Sequence, residues 1–311
     1  MATPAIGRKR EDVIACKVRF LSVIIKSYTT EHNSWLIEKM IRELTFFGLT
    51  VGTYSLMAVI AAVTCAVMSL RPLRRCGLSF SGVAVLLSAM CIAFIVGARL
   101  WNVAVNPDSY DDTRPWYTLR MTGFSMYGGI AGAFIVILFA AGITRIRLVK
   151  IADTLTIPGA VAFSIARIGC FLNGCCTGKN TDLPWGVRYP SSAENVLPSM
   201  ITVHTYAVHP TQLYELVLAL IGIPLCLWLV KRFRAGDGGL FFIYGVWFST
   251  MRLAVLPLRS LPYSLLINNL IYPLIYYVLI VIGVFLFVWS CIKSRRTVSV
   301  ENSGSSAPRT D

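Results

Sequence analysis

Residues 153–190 read DTLTIPGAVAFSIARIGCFLNGCCTGKNTDLPWGVRYP, and the fold turns on how this stretch is understood. It begins as an apolar helix, carries Arg167 near the end of that helix, and then passes into a turn dense in Gly and Cys and a polar loop. An arginine is costly in hydrocarbon, so an ionisable residue at such a place marks a functional site by default. Gly169, Gly174 and Gly178 permit sharp bends and close approach of the backbone. Asn173 adds an amide that both donates and accepts. Together these residues describe a polar pocket at a membrane–water boundary.

The rest of the chain agrees with a membrane setting. Its 311 residues are 56% hydrophobic and 14% charged, which indicates a polytopic membrane protein and excludes an ordinary soluble domain. A net charge of +14 would suit nucleic acid, but the basic residues cluster between apolar stretches. There they act as orientation signals and contacts for anionic lipid, so no nucleic-acid partner is expected. Seven stretches are long enough to cross about 30 Å of hydrocarbon, near 46–70, 78–98, 124–143, 151–172, 211–230, 239–257 and 266–292. The expected fold is an all-α polytopic membrane protein of about seven transmembrane helices with a polar loop region on the periplasmic side. Loops one, three and five carry Arg71, Arg74 and Arg75, then Arg145, Arg147 and Lys150, then Lys231, Arg232 and Arg234. The positive-inside rule places these loops and the C-terminus in the cytoplasm, and parity places the N-terminus outside. Eight Lys and Arg within residues 1–45 run against that last placement.

Three units are expected: a basic N-terminal segment over 1–45, with an amphipathic surface helix over 31–45; a membrane domain over 46–293; and a disordered cytoplasmic tail over 294–311. Pro224, Pro257 and Pro273 suggest kinks. The cysteines show no zinc-type spacing, and neither a metal nor a cofactor is expected. Adjacent Cys175 and Cys176 admit a redox pair, although a vicinal disulfide is strained, or two small residues in a packed turn. Asp153 reads as an ordinary cap on its own helix.

ARIGCFLNGCCTGKNTDLPWG, residues 166–186, resembles the signature of the prolipoprotein diacylglyceryl transferase family. Arg167, Gly169, Phe171, Asn173, Gly174, Gly178, Thr181, Asp182, Pro184 and Trp185 match without a gap, while Cys170 and Cys175 stand where the family has Asn and Glu. HPTQLYE at 209–215 is a second match, and TYSLM at 53–57 and GARLWN at 97–102 are weaker ones. MYGGIAG at 126–132 carries Tyr127 where the family has a catalytically important His. Arg252 and Arg259 match two family arginines, seven residues apart and on one helical face if Pro257 does not deflect it, with Leu256 replacing the acid between them.

The resemblance covers roughly 46–260 and implies a bacterial cytoplasmic (inner) membrane enzyme of lipoprotein biosynthesis. The implied partners are phosphatidylglycerol, the signal peptide of a prolipoprotein, and the membrane itself. The lipobox thiol would attack glycerol carbon, diacylglycerol would move to sulfur, and glycerol phosphate would leave. Arg252, Tyr54, Tyr127 and His209 are the catalytic candidates; Arg167, Asn173, Gln212, Tyr214, Glu215 and Arg259 are the candidates for holding the lipid head group. Guanidinium forks match phosphate oxygens, which suits the arginines to that anion. Glu215 enters the membrane and needs a partner, Arg167 or Arg252. Tyr127 is a poor base near neutral pH, so His209 or the cationic field remains for activating the thiol. The alternatives are a phospholipid-binding protein without transfer activity, a transferase with another thiol acceptor, a thiol redox protein using Cys175 and Cys176, and a transporter.

Overall fold

The computed structural model describes residues 43–46, 49–105, 107, 117, 125–189, 206–260 and 270–304, with side chains from residue 52 to residue 295 within those ranges. Two short antiparallel strands, β1 (Glu43–Phe46) and β2 (Leu49–Gly52), lead into the helices. These are α1 (Thr53–Arg75), α2 (Phe80–Val105), α3 (Met126–Thr144), α4 (Leu148–Asn173), α5 (Thr211–Phe233), α6 (Gly239–Val255) and α7 (Tyr272–Gly304). All seven are long and apolar enough to cross a membrane, α6 counting with the 3-10 turn Leu256–Leu258 that follows it. Apart from β1 and β2, the described residues form an all-α, multi-pass membrane protein.

The ends of this array differ from expectation for local reasons. The first span starts at Thr53, not at 46, because ELTF and LTVG pair in register from Glu43↔Gly52 to Phe46↔Leu49. Their Thr, Val and Phe fit a pleated ribbon better than a helix. Residues 43–45 of the expected surface helix are therefore strand, and 31–42 lie outside the described residues. At the other end α7 runs on to Gly304, through the first residues of the expected tail. Between Gly283 and Gly304 there is no Gly or Pro to stop it. Pro224 lies inside α5, but Pro257 ends α6 in the 3-10 turn and Pro273 is the second residue of α7. A proline at a helix start costs nothing, because that N–H has no helical partner anyway.

Large apolar side chains face outward, among them Val85, Phe139, Val281 and Phe285, each more than 60% exposed. A soluble protein would bury them; lipid tails solvate them. Inside, Leu73, Leu78, Val83, Leu86, Ile137, Ile151 and Leu155 join α1–α4. At the junction of α5 and α6, Tyr244 and Trp247 donate to the carbonyls of Ala219 and Leu218, at 3.1 and 2.8 Å. Helices α2 and α3 meet backbone to backbone, because a Cβ on Gly97, Gly128 or Gly132 would collide with a carbonyl of the facing helix. Small residues are what allow such an approach in lipid.

Asp153 is not a cap on its own helix. It sits in the second turn of α4, and its carboxylate accepts from Gly238 N at 2.6 Å and Phe241 N at 2.7 Å. It satisfies the orphan amides at the start of α6 from outside that helix. Arg147 pairs with Asp237 nearby. The basic residues Arg74, Arg75, Arg145, Arg147, Lys231 and Arg232 all lie at this same end, where α1, α3 and α5 finish. The opposite end, where α4 finishes and α5 starts, collects the buried polar residues.

Candidate functional site

At that opposite end α4 closes on Gly174, a left-handed cap (φ 73) that turns the chain across the helix ends. The loop that follows is laced to two other segments by backbone hydrogen bonds. Gly178 N donates to His209 O, Lys179 N to Leu258 O, and His209 N to Lys179 O, at 2.7–3.0 Å. Val187 and Val208 exchange both of their bonds. Irregular backbone at this depth is thus satisfied within the protein. Thr211 and Gln212, the first residues of α5, reach back to the carbonyls of Cys176 (2.9 Å) and Cys175 (2.7 Å).

Beneath this lid lies Glu215, 1% exposed, with three arginines around it. Arg252 donates from one terminal nitrogen to Oε1 at 2.6 Å and Arg259 to the same oxygen at 2.8 Å. Arg167 Nε stands 2.7 Å from Oε2, an ion pair in distance without the angle of a hydrogen bond. Glu215 thus pairs with both expected partners and with a third. The three guanidinium groups come from α4, from the last turn of α6 and from the residue after the 3-10 turn, and each is at most 9% exposed. Arg259 does not share a helical face with Arg252. Helix α6 ends at Val255 and Arg259 is extended (ψ 143), so the loop delivers it instead.

The arginines are not equally occupied. Arg252 also donates to Tyr127 Oη at 2.8 Å and to Tyr276 Oη at 3.2 Å, and it lies over the Tyr127 ring. All three of its guanidinium nitrogens therefore have an oxygen partner. Among the described residues Arg167 has only sulfur beyond Glu215, Cys170 Sγ at 3.8 Å and Met126 Sδ at 3.9 Å, with the Phe163 ring beneath it at 4.7 Å. Arg259 Nε has no hydrogen-bond partner among the described residues. Three guanidinium charges against one carboxylate leave a surplus of two in a buried place, where a charge without a partner costs on the order of several kcal/mol.

Of the other expected site residues, Tyr127 joins this cluster, stacked on Tyr272 and hydrogen-bonded to Tyr276. Tyr54 lies beside the end of α4, within electrostatic reach of Arg167 and the cysteines. Gln212 is 1% exposed and turned toward the Cys175 carbonyl and Tyr189. Asn173 is half-buried and makes no side-chain hydrogen bond among the described residues. His209 and Tyr214 form a separate group. Tyr214 Oη accepts from Trp185 Nε1 at 2.7 Å and lies 3.4 Å from His209 Nδ1, and among the described residues neither pairs with the arginines. Sequence reasoning missed Tyr272 and Tyr276, four residues apart on one face of α7. It also missed that Cys170, Cys175 and Cys176 converge, with all three Sγ atoms within 4.8 Å of one another. Hydrogen bonding among these thiols raises Cys175 well above the usual thiol range and holds Cys176 well below it. The Arg167 and Arg259 guanidinium groups add to the lowering.

A family model described as prolipoprotein diacylglyceryl transferase matches residues 42–289. This chain belongs to that family. It is similar to a phosphatidylglycerol–prolipoprotein diacylglyceryl transferase of Chloroflexus aggregans, 34% identical over 53% of this chain and 58% of the relative. It is also similar to proteins of the same name from Leifsonia xyli (29%, over 67% of this chain and 65% of the relative) and Clostridioides difficile (27%, over 70% and 82%). The chain spans about three fifths of the length of the first of these curated relatives it matches. The matched residues run from β1 through most of α7 and so include Arg167, Glu215, Arg252 and Arg259.

Proposed function

We infer that this chain transfers the diacylglyceryl group of phosphatidylglycerol to the thiol of a lipobox cysteine in a prolipoprotein, in a bacterial cytoplasmic membrane. The observation that carries the reading is the surplus of buried guanidinium charge around Glu215. A lipid phosphate is the anion a membrane supplies to such a place. Arg167 and Arg259 hold the donors that are not firmly committed, and they are the groups for the phosphate. Arg252, held by Glu215, Tyr127 and Tyr276, positions the cluster and contributes its field.

The reaction needs little else from the arginines. As the acceptor sulfur bonds to the terminal glycerol carbon, the carbon–oxygen bond to phosphate breaks and its electron pair leaves with glycerol phosphate. Charge grows on that oxygen, and fixed donors in a dry site stabilise it far more than water does. Tyr54, Asn173 and Gln212 border the head group in this reading, while His209 and Tyr214 lie at the loop, on the side from which a peptide would arrive. The unit needed is the membrane domain over 46–293.

The test is transfer by the purified chain of labelled diacylglycerol from phosphatidylglycerol to a lipobox peptide. The expected result is thioether-linked label in wild type and a large loss in Arg167→Ala. No label in either protein rejects the reading. Lipid binding without product would favour a phospholipid-binding protein instead.

A further inference from the structure

Resting on that reading, one question is how the acceptor thiol loses its proton. Tyr127, Cys175 and Leu256 occupy the places of a histidine and two acids, and His209 pairs with Tyr214 rather than with the arginine cluster. In the same place three thiols converge from two segments, Cys170 from the last turn of α4 and Cys175 and Cys176 from the turn beyond it. All three are free. We propose that Cys170, Cys175 and Cys176 form a three-thiolate site for zinc, and that the open fourth position takes the acceptor thiol and holds it as thiolate.

The geometry fits. With zinc–sulfur bonds of about 2.3 Å, tetrahedral ligands stand about 3.8 Å apart, so sulfurs within 4.8 Å of one another need contract by no more than about an ångström. The turn is held from behind, since Thr211 and Gln212 fix the carbonyls of Cys176 and Cys175. Cys176 is kept in the left-handed region (φ 60), which is unfavourable for a residue with a Cβ. Such an outlier at a site is what a required side-chain direction produces. Cys170 is buried, whereas Cys175 and Cys176 are half-buried. Arg167 supports it, pointing one terminal nitrogen at Cys170 Sγ as outer partners do around metal ligands.

Zinc with three thiolates carries one negative charge, which offsets one of the two surplus guanidinium charges around Glu215 and leaves the other for the lipid phosphate. Three protein ligands and one open position are the form of catalytic rather than structural zinc. A thiol bound to zinc gives up its proton outright, here to water. The zinc-held sulfur then bonds to glycerol carbon, the carbon–oxygen bond breaks, and its electron pair departs on the phosphate oxygen. The thioether, a weak ligand, is released, and nothing is oxidised or reduced. Arg167 touches both Cys170 and Glu215, so one guanidinium links the thiol cluster to the arginine cluster.

The experiment uses the full chain in detergent, purified under reducing conditions and loaded with zinc or with cobalt(II). Wild type is expected to retain zinc stoichiometrically and to show thiolate-to-cobalt charge-transfer bands with tetrahedral visible bands. A lipobox peptide should shift the visible bands, and its Ser analogue should not. Cys170→Ser, Cys175→Ser and Cys176→Ser should each weaken zinc binding by more than about tenfold. Zinc retention no greater than that of the triple Ser variant would overturn the proposal, as would cobalt bands indifferent to the peptide thiol. The peptide titration on wild type decides even if a variant fails to fold. These readouts contain no lipid; an intact, thiol-responsive metal site without transfer would sink the proposed function and leave this one standing.

Discussion

Two helix junctions in this molecule solve the problem of association in lipid by opposite means. Between α2 and α3 the contact is bare backbone, with Gly97 against Gly128 and Gly132 against Ala93. Between α4, α5 and α6 it is one carboxylate and three guanidinium groups, all buried. The first arrangement costs no desolvation and offers no chemistry. The second costs the desolvation of four charges, and replacing such clusters by apolar residues is often neutral or stabilising. The glycine seam therefore accounts for itself as packing, and the ionic junction does not. Its surplus of charge is explained only by something it binds.

The sharpest way to break the comparison is Glu215→Ala. It leaves three buried guanidinium groups facing one another and should cost roughly 3–5 kcal/mol of stability, read as lost folded yield or a lowered Tm in detergent. A small effect would mean that the arginines do not depend on this carboxylate. Arg167→Ala should lower kcat/KM for transfer by about 10²–10³, with a smaller change in Tm than Glu215→Ala because Glu215 keeps two partners. Gly132→Val, at the seam, should do the reverse. It forces a Cβ into the Ala93 carbonyl and should cost about 1–3 kcal/mol of stability, with activity per folded molecule unchanged. The least effect is expected from Asp153→Asn, which weakens the two bonds to the start of α6. A loss of about 1 kcal/mol in thermal stability, with normal lipid binding, would fit the capping role.

The fold was legible because hydrocarbon imposes a simple rule on composition and length, and α2 to α6 fall close to where apolar stretches lie. It was least legible where that rule stops. The strands at 43–46 and 49–52 are too short for hydropathy to notice, and the end of α7 depends on the absence of a stop signal rather than on apolarity. Arg167, Glu215 and Arg252 stood out because a charge inside an apolar helix is rare. Tyr272 and Tyr276 did not, since tyrosines are common near membrane interfaces and only the packing of α7 against α6 brings Tyr276 to Arg252, with Tyr272 stacked on Tyr127. The partner of Asp153 was hidden for a related reason: nothing local says that a carboxylate on α4 will face amides 85 and 88 residues further on. The thiols lie at separations of five and six across a turn, a spacing that matches no ligand motif until the Gly174 bend brings them together.

The Asp153 contact has a mechanical meaning when set beside Arg167. Both residues belong to α4, fourteen positions or about 21 Å apart along its axis. The first clasps the beginning of α6, and the second, through Glu215, clasps its final turn. Tethered near both membrane faces, these two rods cannot splay apart at either rim without breaking a bond. Under the proposed function, sideways admission of a two-tailed lipid would have to pass between other helices.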